Sequence, residues 1–154
     1  RTVLLRGVDD AGFYFYTNYA SRKGHAIAEN QRVSMVFGWY SQFRQVLIEG
    51  HVERVPEAES DAYFNTRPRD SQISAWASNQ SQPIGSREAL EAQYEDRRQQ
   101  FANGDIPRPS FWGGYRIVPT RIEFWKGRSN RLHDRIEYSR VEPSQEWTVR
   151  RLQP

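Results

Sequence analysis

The chain has 154 residues, enough for one domain, and carries 22 Lys+Arg against 19 Asp+Glu for a net charge of +3. It has no Cys, which excludes disulfides, thiolate nucleophiles and Cys-based metal sites, and no run approaches the roughly 20 apolar residues of a membrane helix. Mean hydropathy is low at −0.87, yet 14% of the residues are aromatic, too many for a disordered chain, which points to a thin core with an aromatic pocket or interface.

The first half reads as strands. Residues 2–5 form a short apolar run, Asp9-Asp10-Ala11-Gly12 is a turn signal and residues 13–17 are β-type, so a hairpin is expected. Ser21 can cap a helix over 22–29, which Asn30 can end. Residues 32–39 alternate, with Val33, Met35 and Phe37 on one face. Residues 45–55 place Val46, Ile48, Gly50 and Val52 on one face, and the short link at 40–43 implies antiparallel pairing of the two. Helices follow. Pro56 with Glu57 and Glu59 suits a first turn running towards Thr66 and stopping before Pro68. A short helix is predicted over 71–77, capped by Ser71, and a longer one over 86–102, capped by Ser86 and stopped by Asn103-Gly104. Strands return at 115–118, 121–126, 134–139 and 147–152. Strands, then helices, then strands predict a single α+β domain, mainly β, with a closed antiparallel sheet and helices over its ends. Arg at position 1 and a sole Met at 35 suggest part of a longer protein. The opening residues show no secretion signal, so a cytoplasmic location is expected.

The sequence holds neither a G-x-G-x-x-G nor a Walker loop, and no Gly-x-Ser-x-Gly elbow. His25, His51 and His133 do not cluster, so no metal site is expected. Arg supplies 20 of the 22 cations, a skew that either codon bias or a need for planar, fork-shaped donors would produce. Three clusters combine cations with other polar groups. Ser21-Arg22-Lys23, at a predicted helix start, is either an anion cradle or a solvated basic turn. Thr66-Arg67-Pro68-Arg69-Asp70-Ser71 suits a phosphate monoester, or is a helix connector in which Arg69 pairs with Asp70. In Asn130-Arg131-Leu132-His133-Asp134-Arg135, a strand would put Arg131, His133 and Arg135 on one face, for a ligand or simply for solvent.

Together these stretches resemble the pyridoxamine 5′-phosphate oxidase family. The matching segments are RTVLLRG, FYTNYASRKG, RQVLIEGHVER, YFNTRPRDSQISAWASNQS, PRPSFWGGYRIVP, RIEFWKG and NRLHDR, in order along nearly the whole chain. The resemblance implies a split β-barrel of antiparallel strands with flanking helices, binding flavin mononucleotide (FMN) and active as a homodimer with two FMN sites at the subunit interface. It implies that Arg1, Arg22 and Lys23 face the flavin phosphate, helped by Tyr16, Thr17 and Ser21, with Gln80 and Ser81 nearby. Gln45 would bond the isoalloxazine ring. Trp125 and Arg135 would flank that ring and come from the other subunit. The substrate phosphate would meet Tyr63, Arg67 and Ser71, and Arg131 and His133 would lie over the pyridine ring and the reacting carbon.

The chain departs from the family twice. Arg6 stands where Lys is usual, and is expected still to contact substrate phosphate or flavin. The family's upstream segment, with a further strand, is not in this sequence. The implied reaction is oxidation of pyridoxamine or pyridoxine 5′-phosphate to pyridoxal 5′-phosphate, with dioxygen as acceptor. The rivals are a related split-barrel flavin or deazaflavin enzyme, a non-catalytic FMN or pyridoxal-phosphate binder, and a basic barrel for nucleic acid. The last draws on a pI near 9.4. Its small net charge and interleaved acids argue against it, so neither nucleic acid nor membrane is expected as a partner.

Overall fold

A computed structural model describes residues 1–154. The strands are β1 (Gly7–Asp9), β2 (Gly12–Asn18), β3 (Arg32–Trp39), β4 (Arg44–Arg54), β5 (Trp112–Lys126), β6 (Asp134–Ser139) and β7 (Thr148–Arg151). The helices are α1 (Arg22–Glu29), α2 (Glu57–Thr66), α3 (Arg69–Ala77) and α4 (Arg87–Gln100), with 3₁₀ turns at Tyr40–Gln42 and Ser129–Arg131. All pairings are antiparallel. The ladder runs β1-β2-β5-β4-β3, and β6 and β7 branch from β5. The expected α+β architecture holds, but the sheet is split rather than closed: β1 and β3 end the ladder without pairing to each other.

The fork lies on β5, where two short strands were expected and one of 15 residues runs. Its first part pairs with β2 as far as Ile117, and β6 takes over from Arg121. Pro119 falls in the gap between them, where its missing N–H breaks no ladder bond on that edge. On the other edge the β4 register shifts between Glu49 and Gly50, a bulge that absorbs Thr120.

Two apolar clusters hold the fold. Phe15, Ile48, Val52, Tyr115 and Ile117 fill the barrel. Phe64, Ile73, Ala75, Ile106 and Trp112 join the helices to the outer face of the β2–β5 end. Gly114 allows this second contact: a Cβ there would lie 2.7 Å from the Tyr16 ring and 2.5 Å from Val55. Gly12, at φ +150°, turns the hairpin in a conformation that favours glycine.

Several local expectations shift. Residues 2–5 are outside any strand, and the hairpin starts at Gly7. Helix α3 begins at Arg69 with Pro68 as its N-cap, so Ser71 lies inside the first turn and caps nothing. Ser21 and Ser86 do cap α1 and α4, accepting from Gly24 N–H and Ala89 N–H. The segment before β6 is a turn with Asn130 and Arg131 both at positive φ, so Arg131, His133 and Arg135 do not form one strand face.

Candidate active site

The residues singled out in the sequence gather at two ends of β5. At the first end, Thr17 pairs with Gly113 and Tyr16 with Gly114. Lys23 reaches across from α1 and donates to Thr17 Oγ1 at 2.9 Å and to Gln80 Oε1 at 2.6 Å. Thr17 also donates to Gln80 Oε1 at 2.9 Å, so the three close a triangle. Burial, and then the neighbouring charge of Arg1, push the Lys23 ammonium down from its ordinary value. Both cations border a cavity of about 750 Å³ that opens along the split between residues 1–5 and β3. Arg1, Arg22 and Lys23 have no carboxylate partner, whereas nine of the other arginines do. Ser21 is different. Its buried hydroxyl donates to Asn18 C=O and accepts from Gly24 N–H, so it is committed to the cap. Ser81 holds φ +73°, an uncommon conformation for a residue with a side chain, next to Gln80.

Beside this triangle lies a second set. Tyr63 stacks on Tyr16 with ring centroids 3.8 Å apart. The Arg67 guanidinium lies over the Trp112 ring at 4.6 Å, a cation–π contact. Arg67 Nη1 is buried with no hydrogen-bond partner, and no other buried side-chain atom shares that state. Such a group is costly unless a ligand fills it. Burial lowers the Arg67 pKa, the Tyr63 hydroxyl counters this, and the like charge of Arg6 lowers it further. Arg67 and Arg6, neither with a carboxylate partner, thus lie close enough for each to feel the other's charge. Ser71 has a hydroxyl free of internal bonds. Arg69 turns away: it donates to the carbonyls of Gly104 and Phe101, while Asp70 accepts from Tyr94, so the expected Arg69–Asp70 pair does not form.

The other end of β5 carries Trp125, whose partners are Gln45 on β4 and Arg135 on β6. Gln45 and Trp125 line a hollow of about 380 Å³. The His133 ring lies 4.8 Å from the Trp125 ring. Arg131 is exposed. Arg135 is held by Glu123, a buried carboxylate on β5. Gln45 therefore belongs with Trp125 and Arg135, not with the Lys23 triangle. Twelve residues separate Gly113 from Trp125, which at about 3.3 Å per residue is roughly 40 Å of strand.

Three participants escaped the sequence reading: Trp112 beneath Arg67, Glu123 behind Arg135, and the Arg128 N–H that meets His133. Trp112 stands in the quoted FWGGY stretch, an available signal. Glu123 gave none, because one acid in an alternating strand looks like solvent-facing polarity.

Comparison with known proteins adds to this geometry. Residues 1–101 match the family described as pyridoxamine 5′-phosphate oxidase, and residues 112–154 match the pyridoxine 5′-phosphate oxidase C-terminal dimerisation region. The chain is 55% identical to a pyridoxine/pyridoxamine 5′-phosphate oxidase of Rubrobacter xylanophilus, covering all of this chain and 70% of the relative. It is 52% identical to one from Salinibacter ruber, again over all of this chain and 72% of that protein. Among solved structures, PhzG of Burkholderia lata, in complex with tetrahydrophenazine-1-carboxylic acid, superposes with a TM-score of 0.90 at 32% identity, over the whole chain and 74% of PhzG. A pyridoxamine 5′-phosphate oxidase-related, FMN-binding protein of Nostoc punctiforme gives 0.78 at 16% identity, covering 80% of that protein, which shows a shared fold.

Proposed function

The chain belongs to the pyridoxamine 5′-phosphate oxidase family of FMN-dependent oxidoreductases, and from that premise we propose that it oxidises pyridoxine or pyridoxamine 5′-phosphate to pyridoxal 5′-phosphate. The observation that carries the substrate reading is the orphaned Arg67 Nη1 beside Arg6. A phosphate monoester brings about −1.5 to −2 of charge and several acceptors, which suits two forks better than a monoanion does.

Lys23, Arg1 and Arg22 form a separate unpaired cationic set, which suits the flavin phosphate, with Thr17 and Gln80 as polar neighbours. When bound, FMN would supply the redox chemistry as a two-electron acceptor that dioxygen can reoxidise with formation of hydrogen peroxide. The protein supplies position. Arg67, Arg6, Tyr63 and Ser71 hold the substrate phosphate, so remote binding energy orients the 4′ carbon. Loss of a hydride from that carbon and of a proton from its hydroxyl gives the aldehyde from the alcohol substrate. The amine substrate gives an imine that water hydrolyses, releasing ammonia. Arg131 would cover the substrate ring, and Trp125, Gln45 and Arg135 would hold the flavin ring.

Because the two sets lie at opposite ends of β5, Gly113 and Trp125 being twelve residues apart, we infer that each site combines the Lys23–Arg67 end of one subunit with the Trp125–Arg135 end of its partner. Exposed Trp39, Tyr40, Phe43 and Phe124 offer apolar surface for that association, and the match to a dimerisation region supports it. PhzG, crystallised with a carboxylic acid, marks the second reading: a carboxylate handle at Arg67. The test is the visible spectrum under argon. The purified protein should show bound oxidised FMN, and pyridoxine 5′-phosphate should bleach it. Bound FMN that stays oxidised with both phosphorylated substrates would refute the reading.

A further inference from the structure

The turn before β6 does more than link two strands. Asn130 and Arg131 are both left-handed, at φ 57° and 60°, although neither is glycine. Backbone held this way persists where its surroundings over-determine it, often at functional sites. Leu132 N–H donates to Ser129 C=O at 3.2 Å, closing the turn. The chain doubles back far enough for Arg128 N–H to donate to His133 Nδ1 at 3.1 Å. Trp125 lies close to the same imidazole, restricting its rotation.

That hydrogen bond fixes the tautomer. A nitrogen accepting from a backbone N–H carries no proton, so the neutral ring carries its proton on Nε2. Accepting the Arg128 amide uses the only basic nitrogen of that tautomer. We propose that His133 acts towards the substrate as a hydrogen-bond donor through Nε2 and not as the base that takes its proton. The role for Nε2–H is to hold an acceptor atom of the substrate, such as a ring oxygen. The backbone amide of Arg128 is the positioning group that keeps Nε2 in this state. The proton lost during oxidation then leaves by another route. This rests on the functional reading above for the identity of the substrate, but the tautomer itself does not.

Two measurements test it. Long-range ¹H–¹⁵N NMR of the FMN-loaded protein at pH 8, with His133 assigned by its loss in His133→Gln, should show a protonated Nε2 and an unprotonated Nδ1. A protonated Nδ1 would overturn the proposal. In parallel, kcat/KM for pyridoxine 5′-phosphate is compared in His133→Gln and His133→Ala. A glutamine amide can donate from near the Nε2 position but cannot act as a base, so the Gln variant should exceed the Ala variant by roughly tenfold, the worth of one hydrogen bond. Equal loss in both would also overturn it. If the wild-type chain leaves FMN oxidised with this substrate, the functional reading fails, and the NMR result alone decides the tautomer.

Discussion

Glu123 grips Arg135 through two hydrogen bonds, Nε to Oε1 at 2.7 Å and Nη2 to Oε2 at 3.0 Å. Glu123 is buried and also accepts from Arg121, which donates in turn to Glu137, itself bonded by Arg150. A row of alternating charges thus crosses β5, β6 and β7 and ends on the guanidinium assigned to the flavin side. Glu123→Gln keeps the shape but weakens the grip to neutral hydrogen bonding. FMN affinity measured by fluorescence titration should fall by roughly tenfold, about the difference between a charge-assisted and a neutral bond. Unchanged affinity would mean that Arg135 needs no such support.

Arg67→Ala removes the one orphaned buried donor. KM for pyridoxine 5′-phosphate should rise about 10- to 100-fold, the range expected for one charge-assisted contact, with FMN affinity unaltered. Steady-state kinetics and flavin titration together decide this. A parallel loss of FMN would contradict the proposal of two separate sites.

Arg6→Lys keeps the charge and loses the fork. Weaker binding of the product pyridoxal 5′-phosphate, by roughly threefold to tenfold, is expected in isothermal titration. Unchanged binding of both phosphorylated ligands would remove Arg6 from the site.

Acid should loosen the β6–β7 edge. Hydrogen bonds from Arg121, Arg135 and Arg128 hold Glu137, Glu123 and Asp134 below their ordinary values of 4.5, 4.5 and 3.8. A carboxylate depressed in the folded state contributes stability above its unfolded value and loses it as pH falls through the folded one. Thermal melts should therefore show a falling Tm below about pH 4.5, and Glu137→Gln should flatten that slope while lowering Tm at pH 7. An identical acid slope in the variant would place the sensitivity elsewhere.

Much of the fold was legible because local chemistry agrees with it. Ser21 and Ser86 cap where capping residues belong, and the alternation of residues 32–39 became β3. The continuous β5 was not legible, because Pro119 reads as a strand break until the fork that spares its N–H is known. Helix α3 starts early because Pro68 sets up the first turn itself, without a hydroxyl cap. The site was legible as residue types in order. Its division into two ends was not, because Gln45 and Lys23 are separated by pairing register and not by anything in their neighbours. Likewise Arg67 and Arg69 look equivalent in sequence. Helix geometry sends one onto Trp112 and the other to the end of α4.

The central claim is that each site takes one end from each subunit. It is tested most directly with a heterodimer of Arg67→Ala and Arg131→Ala chains, purified through two different tags and assayed at low pyridoxine 5′-phosphate. Each parent homodimer carries a defect in both sites. In the heterodimer both defects fall in one site, and the other is assembled wholly from unaltered residues. Its activity should approach about half that of the wild-type dimer, as two-fold symmetry requires. A heterodimer no more active than the mean of its two parents would contradict the account.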